Sequence, residues 1–325
     1  MTPVHAVPPP GTARGREGGP RGPWRLPWSA RGYHARLNRA AVLFLSPATL
    51  IIACVLVYPI ASGIYMGFTN RTLSYEGYSF VFLDNFREMA GDPIFWKSLG
   101  NSCKLVFFTV ALNTLIGFAL ALLLNVRARY AGLFRTLLFL PWVLPSVVVA
   151  FSFRWLYSDS YGYLNHVLAR LHLIASPVNP LSRTDLVWPA VIAAAVWFSY
   201  PFVLLVFSAA LRSIDGELYE AARIDGAGRW QQLRFITLPA LKSTFIMVTV
   251  LQVIWEFASF DLVYLLTRGG PANTTLTLSL YVYKQAFHHK RLGYASALAV
   301  VLFLVLASFV AVYLRLARKE ARDGD

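Results

Sequence analysis

An all-α, polytopic membrane fold with six crossing helices is predicted by three features of this 325-residue sequence. The composition is 57% apolar with a mean hydropathy of +0.52, above the roughly 45–50% apolar share of soluble domains. Six apolar stretches reach the roughly 20 residues a helix needs to cross hydrocarbon. The 30 basic residues gather mostly at the ends of those stretches, so the net charge of +14 reads as membrane topology and not as a nucleic-acid surface.

Residues 1–39 are rich in Pro, Gly and Arg and lack apolar periodicity. They bury too little surface to offset ordering entropy, so a disordered cytoplasmic tail is expected. Its arginines, Arg14, Arg16, Arg21, Arg25, Arg31, Arg36 and Arg39, orient the first helix, with anionic lipid as a second contact. The membrane domain is expected over 40–318, followed by a short cytoplasmic tail at 319–325. Its spans fall near 40–68, 103–125, 137–157, 186–211, 243–267 and 294–313. The first is too long for a signal-peptide core and reads as an uncleaved anchor. In it, Gly63 and Gly67 form a small-xxx-small pair that permits close helix approach, within the subunit or to a second one. Pro141 and Pro145 interrupt the third span and Pro189 and Pro201 the fourth, where neighbouring helices must satisfy the freed carbonyls. The outer loops 69–102, 158–185 and 268–293 either connect spans or seat an external protein. Cys54 and Cys103 have neither metal-ligand nor disulfide-framework spacing and read as packing residues.

The positive-inside rule sets the orientation. With the N-terminus inside, 19 of the 30 basic residues flank the inner ends of the spans and 11 the outer ends. Both termini are therefore expected in the cytoplasm, together with a polar loop at 212–242.

Within that loop, Glu220 to Pro239 reads as a helix, a turn and a second helix. Asp215 suits the first N-cap, Glu217 lies in the first turn where the helix dipole favours negative charge, and Gly226 fits the left-handed position after the helix end. Arg229 to Phe235 forms the second helix, which Pro239 is expected to stop. The small Ala221 and Ala222 leave a low surface that another protein can approach, and Glu220 offers a carboxylate to a cation. The loop reads either as this docking surface or as a solvated connection.

Ionisable groups in lipid need partners or water, which singles out Glu256 and Asp261 in the fifth span. As one helix, the span would place Gln252, Glu256 and Ser259 within about 60° of each other and Asp261 on nearly the opposite face. That stripe either lines a solute path or satisfies itself by hydrogen bonds. Trp197 and Tyr200 offer aromatic faces to a sugar, whose C–H faces are apolar, although such rings also serve as anchors or packing. Gly91 and Lys97-Ser98 approximate a phosphate-binding loop, but Trp96 replaces its second glycine and the segment is expected outside. Adjacent His288 and His289 lack the spacing of paired metal ligands. No nucleophile or acid-base constellation marks an enzyme, and neither cofactor nor metal is expected.

The spacing Glu220-Ala221-Ala222, three residues, Gly226, nine residues, Ile236-Thr237-Leu238-Pro239 resembles the EAA loop of ABC-importer permeases. Tyr58-Pro59, Asn85-Phe86, Phe95-Trp96, Pro141-Trp142 with Pro145, and above all the run from Phe260 through Asp261 to Gly269-Gly270-Pro271 extend the resemblance. Tyr281, Tyr283, Ala286-Phe287, Gly293 and Ala295-Ser296-Ala297 continue it. From about 40 to 318 the chain looks like a MalF-type permease of binding-protein-dependent carbohydrate importers. This resemblance implies the type I ABC importer permease fold in the cell inner membrane, with Asp261, Gly269, Gly270 and Pro271 as structural family positions. It further implies that Glu220, Ala221, Ala222, Asp225, Gly226 and Arg229 dock a cytoplasmic ATPase. The implied partners are a second homologous permease, two ATP-binding subunits, an extracytoplasmic solute-binding protein and a carbohydrate. Gly228 departs from the family's frequent Ser-type cap, and Ser243 stands where a proline often follows. The alternatives are a self-sufficient secondary transporter with Glu256 and Asp261 as a proton relay and, last, a membrane-embedded enzyme.

Overall fold

The computed structural model describes residues 44–75, 77–125 and 131–323. The segment expected to be disordered, 1–39, lies outside them. The chain divides into two units after Pro59. The described part of the first unit is the start of helix α1 (Phe44–Met66), in which Leu50, Ile51 and Val55 are exposed. Cys54 is exposed as well, as is Cys103 in the second unit, so neither is the packing residue expected.

The described residues of the second unit form helices joined by loops, with one isolated antiparallel bridge between Thr69 and Phe80. Helix α2 (Asp84–Gly91) leads into α3 (Pro93–Leu124). The Asp92 carboxylate accepts the Ile94 amide at 2.8 Å and Pro93 occupies the first turn, so capping starts α3 ten residues before its apolar run. Helices α4 (Ala131–Val143) and α5 (Ser146–Leu156) meet at 96° across Leu144 and Pro145, so the third span is interrupted at Pro145 as expected but not at Pro141, which lies inside α4.

The fourth span differs from expectation. Helix α7 (Val187–Arg212), which follows the short helix α6 (Tyr163–Arg170), is continuous. Pro189 falls in its first turn, where no amide is required, and Pro201 is accommodated inside it. The fifth span differs in the opposite sense. After α8 (Gly216–Ile224) and α9 (Arg229–Ala240), helix α10 (Lys242–Ala258) ends at Ser259, whose backbone is extended, and α11 (Asp261–Thr267) starts afresh. Asp261 is thus an exposed first-turn residue favoured by the dipole of α11 and not a buried mid-span charge. The last elements are α12 (Leu278–Tyr283) and α13 (Leu292–Asp323). Among the described residues α1, α3, α7 and α13 are long and apolar enough to cross a membrane, and the bent pairs α4–α5 and α9–α10 bring the spans to six.

Pro239 does not stop its helix. A five-residue π turn, Leu233–Thr237, precedes it, and the Leu238 amide reaches back to the Leu233 carbonyl. The same wide turn, Ala53–Val57, precedes Pro59 in α1. Shifting the hydrogen-bond register ahead of a proline lets the helix absorb it.

Part of the core lies between α3 and α7, where Leu105, Val203, Leu204 and Phe207 are almost wholly buried, and its largest cluster extends to Val149 on α5, Leu262 on α11, Leu280 on α12 and Leu298 on α13. Gly117 makes this approach feasible, since a Cβ there would sit 2.6 Å from that of Val203 and 3.0 Å from the Leu204 amide nitrogen. Gly67 plays the same part against the Ala297 backbone, so that half of the glycine pair packs within the subunit, while Gly63 meets open space. At one end of the bundle, the Tyr281 and Tyr294 hydroxyls donate to Asp92 at 2.5 and 2.8 Å, and Arg291 forms a bidentate pair with Glu88. Burial pushes the Asp92 carboxyl up, but the bonds from Tyr281, Tyr294 and two backbone amides outweigh it and hold the group below its ordinary 3.8.

Candidate functional site

Two polar constructions interrupt the apolar bundle. The first is the α8–turn–α9 elbow. Asp215 caps α8 by accepting the Glu217 amide at 3.0 Å. Gly226 turns the chain at φ +80°, a conformation costly for any residue with a Cβ. Gly228 lacks the hydroxyl of a Ser-type cap, and Gln231 compensates by accepting the Gly228 amide at 2.7 Å. The two helices are tied by Tyr219 and Thr237, whose hydroxyls lie 2.9 Å apart, and the turn is pinned to α9 by the Gln232 side-chain amide donating to the Ala227 carbonyl at 2.9 Å. On this frame Glu220, Ala221, Asp225, Gly226 and Arg229 are exposed and Ala222 is half-buried. Glu220 makes a long 3.8 Å pair with Arg223 one turn on, both well solvated, so the carboxylate stays free for another cation. Ile224 is 86% exposed and Trp230 71%, on either side of the turn. Neither was singled out from the sequence, where the signal was two large apolar residues in a loop otherwise made for water.

The second construction lies within the membrane-spanning helices. Gln252 on α10 is 3% exposed and accepts from Asn113 on α3 at 2.9 Å. Asn113 also donates to the Ser199 hydroxyl on α7 at 2.7 Å, and Gln252 in turn donates to Thr114 at 3.4 Å. The Glu256 carboxyl, half-buried one turn beyond Gln252, is within hydrogen-bonding reach of Ser199. Gln252 and Glu256 thus share a face as expected, but Ser259 does not. It sits at the break, with its carbonyl accepting the Ser279 hydroxyl at 2.9 Å. Asn113 and Ser199 are the members that sequence reasoning missed. A single polar residue in an apolar span was the available signal, and their partnership joins positions 86 residues apart. Beside the cluster, the Phe202 ring bridges Trp142 and Trp255 at 6.1 and 4.8 Å between centroids, linking α4, α7 and α10.

Trp197 and Tyr200 stand elsewhere. They line an 830 Å³ groove along α3 and α7 with Lys104, Phe108 and Trp188, and none of Gln252, Glu256 and Ser259 borders it. Tyr200 spends its hydroxyl on the Leu138 carbonyl at 3.0 Å, and Trp197 packs edge-on against Phe153. The Gly269-Gly270-Pro271 turn is fixed by Thr275, which donates to the Gly270 carbonyl at 2.7 Å and lies 2.7 Å from the Thr267 hydroxyl. Lys97 donates to the Ala272 carbonyl at 3.0 Å, a structural role in place of phosphate binding.

The chain is similar in sequence and in fold to known proteins. Residues 113–322 match the binding-protein-dependent transport system inner membrane component family. The chain is 34% identical over 282 residues to the sulfoquinovosyl glycerol transport system permease protein SmoG of Agrobacterium fabrum, covering 86% of this chain and 91% of that one. It is 36% identical to the lactose transport system permease protein LacF of Rhizobium radiobacter, covering 85% and 94%. With the trehalose/maltose transport system permease protein MalF of Thermococcus litoralis it shares 32% identity over 87% and 95%. Its fold is similar to a chain of a bacterial alginate ABC transporter solved in complex with alginate pentasaccharide-bound periplasmic protein, with a TM-score of 0.76, 25% identity and coverage of 88% and 96%. The match over 113–322 spans both polar constructions, and the chain belongs to the inner membrane permease components of binding-protein-dependent ABC importers.

Proposed function

We propose that this permease subunit carries a carbohydrate inward across the cytoplasmic membrane, with both termini and the α8–α9 elbow in the cytoplasm. Relatives named for sulfoquinovosyl glycerol, lactose and trehalose/maltose transport support the substrate class. In this reading a second permease completes the pathway, two ATP-binding subunits drive it, and an extracytoplasmic binding protein delivers the cargo. The observation that carries the mechanism is the elbow itself, a capped and cross-tied frame that leaves Glu220 and the apolar Ile224 and Trp230 uncovered. An exposed apolar rim around a carboxylate suits a cleft with a cation at its base. ATP-driven closure of the ATPases would push on Glu220, Ala221, Ala222, Asp225, Gly226 and Arg229 and turn the cavity outward. Half-buried Glu256 would present hydrogen bonds, and the Trp142–Phe202–Trp255 rings flat apolar faces, to the passing sugar, while the bonds of buried Asn113 to Ser199 and Gln252 hold the helices around them. Trp197 and Tyr200 sit on a different groove, so Glu256 carries the selectivity, with buried Gln252 positioning its helix.

Reconstitution tests it. Vesicles holding the complete complex and its binding protein should accumulate labelled sugar only with ATP, and Glu256→Ala should change the rate or the order of preferred sugars while assembly survives. Uptake by this chain alone under a pH gradient would favour the proton-coupled alternative, for which family membership gives no support.

A further inference from the structure

A 760 Å³ cavity lies away from the mid-span cluster, between the end of α5, the loop that follows it, Asn179 and the Gly270-Pro271 turn. Its volume is that of a small-molecule site. Helix α11, about 10 Å long, separates it along the chain from Glu256, and the Gly-Gly-Pro turn at the far end of α11 forms one wall. Two aromatic rings stand open there, Trp155 at 57% and Tyr161 at 68% exposure.

The polar groups around them have hydrogen-bonding capacity to spare. Asp159 accepts only the neighbouring Ser160 hydroxyl, at 3.2 Å, and makes no ion pair with a described residue. Arg154 gives one long 3.4 Å bond to the Leu265 carbonyl. Asn179 uses its side-chain oxygen on the Leu181 amide at 3.0 Å, and its NH2 has no partner among the described residues. The frame beneath is rigid. Buried Asn165 donates to the Ser158 and Val178 carbonyls at 2.8 and 3.0 Å and accepts the Val178 amide at 2.9 Å, while the Ser158 hydroxyl accepts two backbone amides of the loop.

Open ring faces beside an acid, an amide and a guanidinium on a fixed loop suit a hydroxyl-rich ring with apolar faces. An acyl chain would leave these polar groups unpaired, and a phosphate would meet Asp159. We propose that this cavity is an outer saccharide subsite, holding one end of the cargo before it reaches the mid-span cluster. The proposal rests on the carbohydrate reading above.

The test uses the assembled complex in vesicles with its binding protein and labelled glucose, lactose, trehalose and galacturonate. Trp155→Ala and Asp159→Asn are each expected to lower uptake of the transported sugar about fivefold or more. The concentration of binding protein that half-stimulates ATP hydrolysis should stay unchanged. In a Cys54→Ser, Cys103→Ser background, the same sugar without binding protein should slow maleimide labelling of Ser182→Cys on the cavity wall, and Trp155→Ala should remove that protection. A rise in the half-stimulating concentration of binding protein would make the cavity a protein-docking surface and overturn the proposal. So would uptake and labelling that ignore both substitutions. Failure of the unaltered complex to take up any of these sugars would instead count against the carbohydrate reading itself.

Discussion

The elbow and the mid-span cluster contain similar residues in opposite circumstances. In the cluster, Asn113, Ser199 and Gln252 turn towards one another across three helices and the glutamine is 3% exposed. In the elbow, Glu220 has a single long pair and the apolar Ile224 and Trp230 face outward. A polar group in hydrocarbon must be satisfied from within the chain, whereas the elbow is internally tied only enough to hold its shape. Substitutions in the cluster should therefore register in the stability of the isolated subunit, and substitutions in the elbow should register only once the motor subunits are present.

The largest effect is expected at Glu220. Reversing one partner of a desolvated charge pair costs about 2 kcal/mol or more, so Glu220→Arg should lower ATP-driven uptake about 30-fold. The melting temperature of the purified subunit should not move, because the side chain is solvated there. Gln252→Leu should do the reverse in kind. It leaves one of the two Asn113 amide hydrogens unpaired in the bundle, the other still on Ser199, at about 1–3 kcal/mol, which a thermal melt of the purified subunit would show as a clear drop; an unchanged melt would mean that the cluster does not hold the helices. Gly226→Ala forces a Cβ into φ +80° at about 1 kcal/mol, and coupled uptake should fall about fivefold with assembly intact. The smallest effect concerns pH. The Asp92 carboxyl is held below 3.8 in the folded state, so its contribution is complete above that value and is lost as pH falls through the lower folded pKa. Thermal stability measured from about pH 6 to about pH 3 should fall less steeply in Asp92→Asn than in the unaltered protein.

Much of this architecture could be read from the sequence because hydropathy and capping are local. The spans, the break at Pro145, the Asp215 cap and the Gly226 turn each follow from a few adjacent residues. What escaped was set by packing or by compensation. Pro201 and Pro239 are helix breakers by type, yet the first lies in a helix clasped by its neighbours and the second behind a wide turn. The break at Ser259 and Phe260 lies among Glu256, Ser259 and Asp261, polar residues that read equally well as one stripe of a continuous span, and neither glycine nor proline marks it. Of the site, Gln252, Glu256 and the elbow were legible, since a charge in lipid and a spaced motif are conspicuous. Asn113 and Ser199 were not, because a lone polar residue gains its meaning only from partners brought by distant helices. Trp197 and Tyr200 looked like stacking rings by type, but α7 turns them to the groove lined by Lys104 and Trp188.

The central claim is that the elbow meets a cytoplasmic motor. The most direct measurement places a cysteine at Ala221 in a Cys54→Ser, Cys103→Ser background and follows labelling by a membrane-impermeant maleimide. The account predicts no labelling in intact cells, ready labelling in inverted vesicles, and protection when the ATPase subunits are bound. Labelling from outside intact cells, or labelling of inverted vesicles indifferent to the ATPases, would contradict it.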